Sequence, residues 1–254
     1  EIKMKEMTDF WSLSNGFSHQ IVQIYVDKGE STSGRTQMLE GTNAQVHPDW
    51  AWEVAISATG EPGAVKAVDA ATGETSAKGI EVSGDVETKT ITITVSKSVI
   101  GNDVPNYRFI VVIGSQDGFG TGKWRDVDAT AKTWRLGGGA DPSTIDGVDY
   151  DPNILDIMLP DGNQTSMLGS YDVLLQQFAT LTGFELPEVA QQVYGAKVAG
   201  TTATSAILEW STTQPESGVV NCSSNDNYSN EWNESLLSPS GDSSLSHTIQ
   251  LSGL

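Results

Sequence analysis

Apolar residues along this chain recur in short runs with a period of two, broken by Gly, Asp, Asn, Ser and Thr. Gly16 to Val26 reads as a half-buried strand in which Ile21, Val22, Ile24 and Val26 are apolar. Trp52 to Ala58 is another strand, and Lys89 to Val95 alternates strictly and is β-branched almost throughout. Tyr107 to Ile113 is a continuous apolar run, the pattern of a central strand buried on both faces. Leu174 to Pro187 reads instead as a helix passing into a linker, closed by Gly183 and Pro187. Short strands return at Val193 to Val198, Ser205 to Trp210, Val219 to Asn221 and His247 to Leu251. Turn-rich spacing of this kind predicts an all-β protein of two tandem β-sandwiches, residues 1–186 and 187–254.

Charge narrows the partners. Of 254 residues, 14 are Lys or Arg and 33 are Asp or Glu, a formal charge of −19. Nucleic acid and anionic lipid both require clustered positive charge, so neither is expected as a partner. The longest apolar runs, such as Phe109 to Ile113, are far too short to cross a bilayer, so no direct membrane insertion is expected. The single cysteine, Cys222, excludes an intramolecular disulfide and a Cys-based zinc site. Sequons at Asn163, Asn221, Asn227 and Asn233 are candidate glycosylation sites and point outside the cell. The chain opens at Glu1 inside the alternating segment Glu1-Ile-Lys-Met-Lys5, as a processed chain or a fragment would.

An ordered set of motifs runs through the first block. Asn15-Gly-Phe-Ser-His-Gln20 leads to Ile24-Tyr-Val-Asp27, and His47-Pro-Asp-Trp-Ala-Trp52 follows. Next come Val111-Val-Ile-Gly-Ser-Gln-Asp-Gly-Phe-Gly120 with Lys123-Trp-Arg125, then Trp134-Arg-Leu-Gly-Gly-Gly139. Asp151-Pro-Asn-Ile-Leu-Asp156 with Leu159-Pro160 closes the set. From about residue 9 to 173 these resemble the C-terminal module of glucodextranase and of some secreted amylopullulanases, an S-layer-homology-like or DOMON-like module. The resemblance implies an extracellular, jelly-roll-like sandwich that binds carbohydrate or attaches its protein to the cell surface.

Residues from about 188 to 254 resemble the fibronectin type III sandwich that precedes the catalytic domain of purple acid phosphatases. The resemblance lies in Ala203-Thr-Ser-Ala-Ile-Leu-Glu-Trp210, Ser217-Gly-Val-Val220 and Ser246-His-Thr-Ile-Gln-Leu-Ser-Gly-Leu254, with Trp210 matching the buried Trp of that fold. Members of the first family carry a further strand before the position of Glu1. Members of the second carry two more after that of Leu254. Either the polypeptide is longer, or neighbouring copies complete each other's sandwiches by β-strand addition, as in a surface layer or filament.

Catalysis has little support. His19, His47 and His247 lie in separate segments without a Gly-x-Ser-x-Gly elbow. With 33 acidic residues, any paired carboxylates arise by chance. No catalytic residue is assigned. Gly118-Phe-Gly-Thr-Gly122 and Gly137-Gly-Gly139 fit turns rather than phosphate cradles. Asp117, Asp126 and Asp128 border one loop, while Asp141, Asp146, Asp149 and Asp151 crowd another. Hard oxygen ligands on rim loops would hold calcium, and the alternative is a solvated acidic face. The expected ligands are Asp117, Asp126, Asp128 and Asp151, with Asp27 added because related sandwiches place a carboxylate there.

Sugar binding needs flat aromatic faces beside hydroxyl partners. Trp11, Trp50, Trp52, Trp124 and Trp134 lie in or beside loops, and Lys123-Trp124-Arg125 and Trp134-Arg135 pair an aromatic with a planar donor. The expected set is Trp124, Arg125, Trp134 and Trp50, with Trp124 as the leading platform; Trp52 and Trp210 are expected in the core. The reading is a non-catalytic, extracellular carbohydrate-binding or surface-attachment protein whose partner is a polysaccharide or cell-wall glycan. Two alternatives stand beside it: a structural surface-layer or filament subunit that assembles with copies of itself, and an accessory fragment of a larger secreted glycoside hydrolase or phosphatase.

Overall fold

Wherever β-branched and aromatic residues alternate, the chain is extended, and the protein is all-β. The computed structural model describes residues 1–30, 33–120, 122–159, 163–186, 193–202, 204–212, 219–222, 230–233, 235–237 and 245–252. Two units separate, Glu1–Pro187 and Glu188–Leu254.

The first unit begins with β1 (Ile2–Lys3), β2 (Gln20–Asp27), β3 (Ala44–Val46), β4 (Val54–Thr59), β5 (Lys66–Asp69), β6 (Thr75–Ser76), β7 (Ile80–Asp85), β8 (Thr90–Val95) and β9 (Arg108–Ser115). After β9 the strands shorten to β10 (Val127–Asp128), β11 (Leu136–Gly137), β12 (Thr144–Ile145), β13 (Val148–Asp149), β14 (Asp156–Ile157), β15 (Ala179–Leu181) and β16 (Phe184–Glu185). Among the described residues, a seven-stranded sheet runs β14-β9-β2-β4-β5-β6, with β16 also paired to β9. A smaller sheet, β1-β8-β7, packs Ile2, Ile91 and Val82 against Val22 and Val111 of the large one, a sandwich-like arrangement.

β2 differs from its sequence expectation. It is buried on both faces rather than one. Ile21 and Tyr25 join Trp52, Ile110, Val112 and Trp124 in one core, while Val22 and Val26 belong to clusters with Ile91 and Tyr107. Alternation here sorts side chains between two apolar cores, not between core and water. β9 is buried on both faces, as its continuous apolar run predicts. Trp52 is 1% exposed and donates its Nε1–H to the Gln37 carbonyl, a core residue as expected.

The predicted helix after Leu174 is absent. Leu174 and Leu175 are exposed, Asp172 and Gln177 bridge across a turn with Gln176 at φ 57°, and the chain continues into β15 and β16. Ala179 and Leu181 are buried on either side of a half-buried Thr180, a strand period, and β15 pairs parallel with β3. Among the described residues no helix is long and apolar enough to cross a membrane.

The second unit contains β17 (Val193–Thr201), β18 (Ser205–Thr212), β19 (Val219–Cys222), β20 (Asn230–Asn233), β21 (Ser235–Leu237) and β22 (Leu245–Ser252). Its main sheet runs β17-β18-β22-β21, all antiparallel, and β19 pairs with β20. Trp210, expected in the core, is half-buried on β18, where it stands opposite His247 of β22.

Candidate functional site

The connection that leaves β9 carries most of the residues the sequence singled out. Its base is fixed by Gln116, which is buried, bonds the His19 carbonyl through its backbone N–H and donates its side-chain amide to the Ser18 carbonyl. Asp117 then shapes the tip. Its N–H bonds the Lys123 carbonyl, and its Oδ1 accepts the N–H of Phe119 at 2.7 Å. Gly118 takes φ +81° between them, a conformation glycine adopts without penalty. The braced turn holds Phe119 outward, 73% exposed.

Trp124, returning from that tip, goes the other way. It is 7% exposed and belongs to the core formed with Tyr25, Trp52 and Ile110. Gly114 and Gly41 make room for it: a Cβ at Gly114 would lie 2.0 Å from the indole, and one at Gly41 2.6 Å. An aromatic platform must offer a whole face, so Trp124 is not the platform its position in sequence indicates. Apolar burial outcompetes exposure for a ring of this size when the backbone leaves it a slot.

The exposed ring is Trp134, 59% exposed, whose indole meets Phe119 edge to face at 5.5 Å and 69°. Together they flank a shallow pocket of about 170 Å³ lined by Asp117, Phe119, Trp124, Asp126, Trp134 and Arg135. Arg135 and Asp126 form an ion pair on its wall, both about 40% exposed. Trp11 borders the same tip, its ring 3.4 Å from the Cβ position of Gly118, and packs on His19 at 4.5 Å. Burial, and then the charge of Arg125, lower the pKa of His19.

Two members of the expected sugar set lie away from this pocket. Arg125 bonds the Ser115 carbonyl through its backbone N–H and encloses its Nε. Trp50 sits in the 3₁₀ turn Pro48–Trp50 beneath the Arg108 guanidinium, 4.8 Å from ring centroid to Cζ. Phe119 was not singled out by sequence reasoning. The signal was present, as an aromatic between two glycines at the tip of a turn following a fully buried strand.

The expected metal ligands are scattered. Asp27, 4% exposed, is neutralised by Arg108 at 2.5 Å, so its counter-charge is a guanidinium rather than an ion. Asp126 is taken by Arg135, and Asp128 by Lys132 at 2.5 Å. Asp117 spends one oxygen on its own turn. No three His, Cys, Asp or Glu side chains come together as a metal site among the described residues. Asp151 stands apart, fully buried beside Asp149, with burial foremost in pushing its pKa up to about 7. Of the sequons, Asn163 is exposed at the N-cap of the short helix Gln164–Leu168, Asn221 lies in β19 and Asn233 ends β20. Asn227 lies outside the described residues.

Residues 1–183 match the family model of the C-terminal binding-module, SLH-like, of glucodextranase. The chain belongs to that family. The glucodextranase-type module is a binding module rather than a catalytic one, and the match takes in the β1-β8-β7 sheet, the large sheet except β16, and the whole aromatic rim. It ends before the second unit begins. No curated protein matches the chain.

Proposed function

We propose that the first unit is an extracellular carbohydrate-binding module that holds a neutral glycan against Phe119 and Trp134. The observation that carries this is the pair of exposed rings, locked edge to face on a hydrogen-bonded turn, above a pocket walled by an Arg–Asp pair. A pyranose presents a face of C–H groups to an aromatic ring and vicinal hydroxyls at its edge. Arg135 supplies a planar donor fork for such hydroxyls, and Asp126 and Asp117 supply acceptors. Because the Arg135–Asp126 pair is half-exposed it is weakly held, and its hydrogen bonds exchange for sugar hydroxyls at small cost. Two carboxylates against one guanidinium, in a chain of charge −19, disfavour an acidic sugar. A neutral glucan fits this balance and the glucodextranase origin of the family.

Titration calorimetry with soluble α-glucans tests the reading: saturable binding by the full chain, weakened by Trp134→Ala and by Phe119→Ala, supports it. Binding to no glycan on an array, together with polymers in negative-stain images, would replace it with a structural surface subunit. The second unit fits a fibronectin type III-like spacer, a role supported by the antiparallel order β17-β18-β22-β21.

A further inference from the structure

The loop between β11 and β14 builds a second polar centre away from the aromatic rim. β12 and β13 form a two-residue hairpin whose turn, Asp146-Gly147, has φ 54° and 81°, the left-handed pair a tight hairpin requires. The hairpin delivers Asp149 beside Asp151, and the Tyr150 N–H bonds the Ser143 carbonyl across its base. Asp151 is 0% exposed. Its Oδ2 accepts the Ala140 N–H at 2.8 Å and lies so close to Gly139 that a Cβ there would meet it at 2.1 Å. Asn43 donates its amide to Asp149 Oδ2 at 2.9 Å and to the Asp151 carbonyl at 3.2 Å.

Each carboxylate therefore has one oxygen tied to a donor. The other oxygen of each, Oδ1 of Asp149 and Oδ1 of Asp151, is shut off from solvent with no hydrogen-bond partner. Asn43 bridges the two residues, and the hairpin sets them two positions apart at its base. Among the described residues neither carboxylate pairs with a Lys, Arg or His, whereas Asp27, Asp126 and Asp128 each do. Asp151 is fully buried and Asp149 partly so, and adjacent carboxylates enclosed in this way do not both stay ionised without a positive partner.

The geometry points to a hard divalent cation of the calcium class, held between Asp149 and Asp151. Each carboxylate keeps one enclosed oxygen without a partner, while Asn43 and the Ala140 amide hold the other oxygen of Asp149 and of Asp151. Calcium suits an irregular loop better than magnesium, because it accepts six to eight oxygens in flexible arrangement. Neither carboxylate lines the aromatic pocket.

Thermal unfolding of the full chain at pH 7.5, stripped with EDTA and then given calcium chloride, tests the assignment. Calcium a hundredfold above its dissociation constant should raise Tm by about 5–10 °C. Asp151→Asn and Asp149→Asn should each abolish the rise, and Trp134→Ala should leave it intact. Terbium gives a second readout: it substitutes for calcium, and Tyr150, between the two carboxylates in the chain, stands close enough to sensitise its luminescence. The competing occupant is a shared proton. A proton shared between the two carboxylates would make the metal-free protein more stable in acid than at pH 7.5. Identical melting in EDTA and calcium, with stability rising on acidification, assigns the pair a proton and overturns the cation site. A calcium response that survives both Asn variants places the ion elsewhere and also overturns it.

Discussion

Trp124, between β9 and β10, and Trp134, between β10 and β11, end in opposite surroundings, one 7% exposed in the core and the other 59% exposed beside Phe119. The acidic residues around them divide in the same way. Asp126 and Asp128, on the outer part of the connection, each face a partly exposed Arg or Lys. Asp149 and Asp151, further on, share a buried centre with no basic partner among the described residues. The difference separates two kinds of surface chemistry. Exposed rings and loosely paired charges can exchange their contacts for those of a ligand, because water already competes for them. Buried, unpaired oxygens have no water to return to, so they call for a resident partner.

The comparison can be broken most directly at the tryptophans. Trp124→Ala empties a core slot and should cost about 3–5 kcal/mol of stability, whereas Trp134→Ala should change it by about 0.5 kcal/mol or less. Equal costs in denaturant unfolding would erase the distinction. Among the ion pairs, Arg108→Ala strands the buried Asp27 carboxylate and should cost about 3 kcal/mol by the same measurement. The glycan side carries a smaller effect. Removing either exposed ring, Trp134 or Phe119, should weaken α-glucan binding by about 1–2 kcal/mol, close to tenfold, with the melting curve unchanged. Smallest of all is Lys132→Ala. Removing its exposed pair with Asp128 should leave the unfolding midpoint nearly unchanged, and a loss approaching that of Arg108 would show that exposure does not set the value of these pairs.

The sequence by itself determined the long strands β2, β4, β8 and β9. β8 and β9 are legible because β-branching and period-two alternation are local properties that any extended segment expresses alone. The ordered motifs likewise carry the family, since they are read position by position without reference to contacts. Only the tertiary structure decided which alternating face meets water. β2 reads as half-buried until the β1-β8-β7 sheet is laid over its second face. The same holds for Leu174 and Leu175, which look like the start of a helix. They stay in solvent because the residues after them pair with β3, with Thr180 accepting a hydrogen bond from Gln45. Trp124 and Trp134 have equally polar neighbours in sequence, and only the slot left by Gly41 and Gly114 sends one inward. The carboxylates follow the same rule. Asp27 finds Arg108, and Asp149 finds Asn43, across long stretches of chain. Burial and charge pairing are sums over atoms that the fold brings in from far along the sequence, and no local pattern contains those atoms.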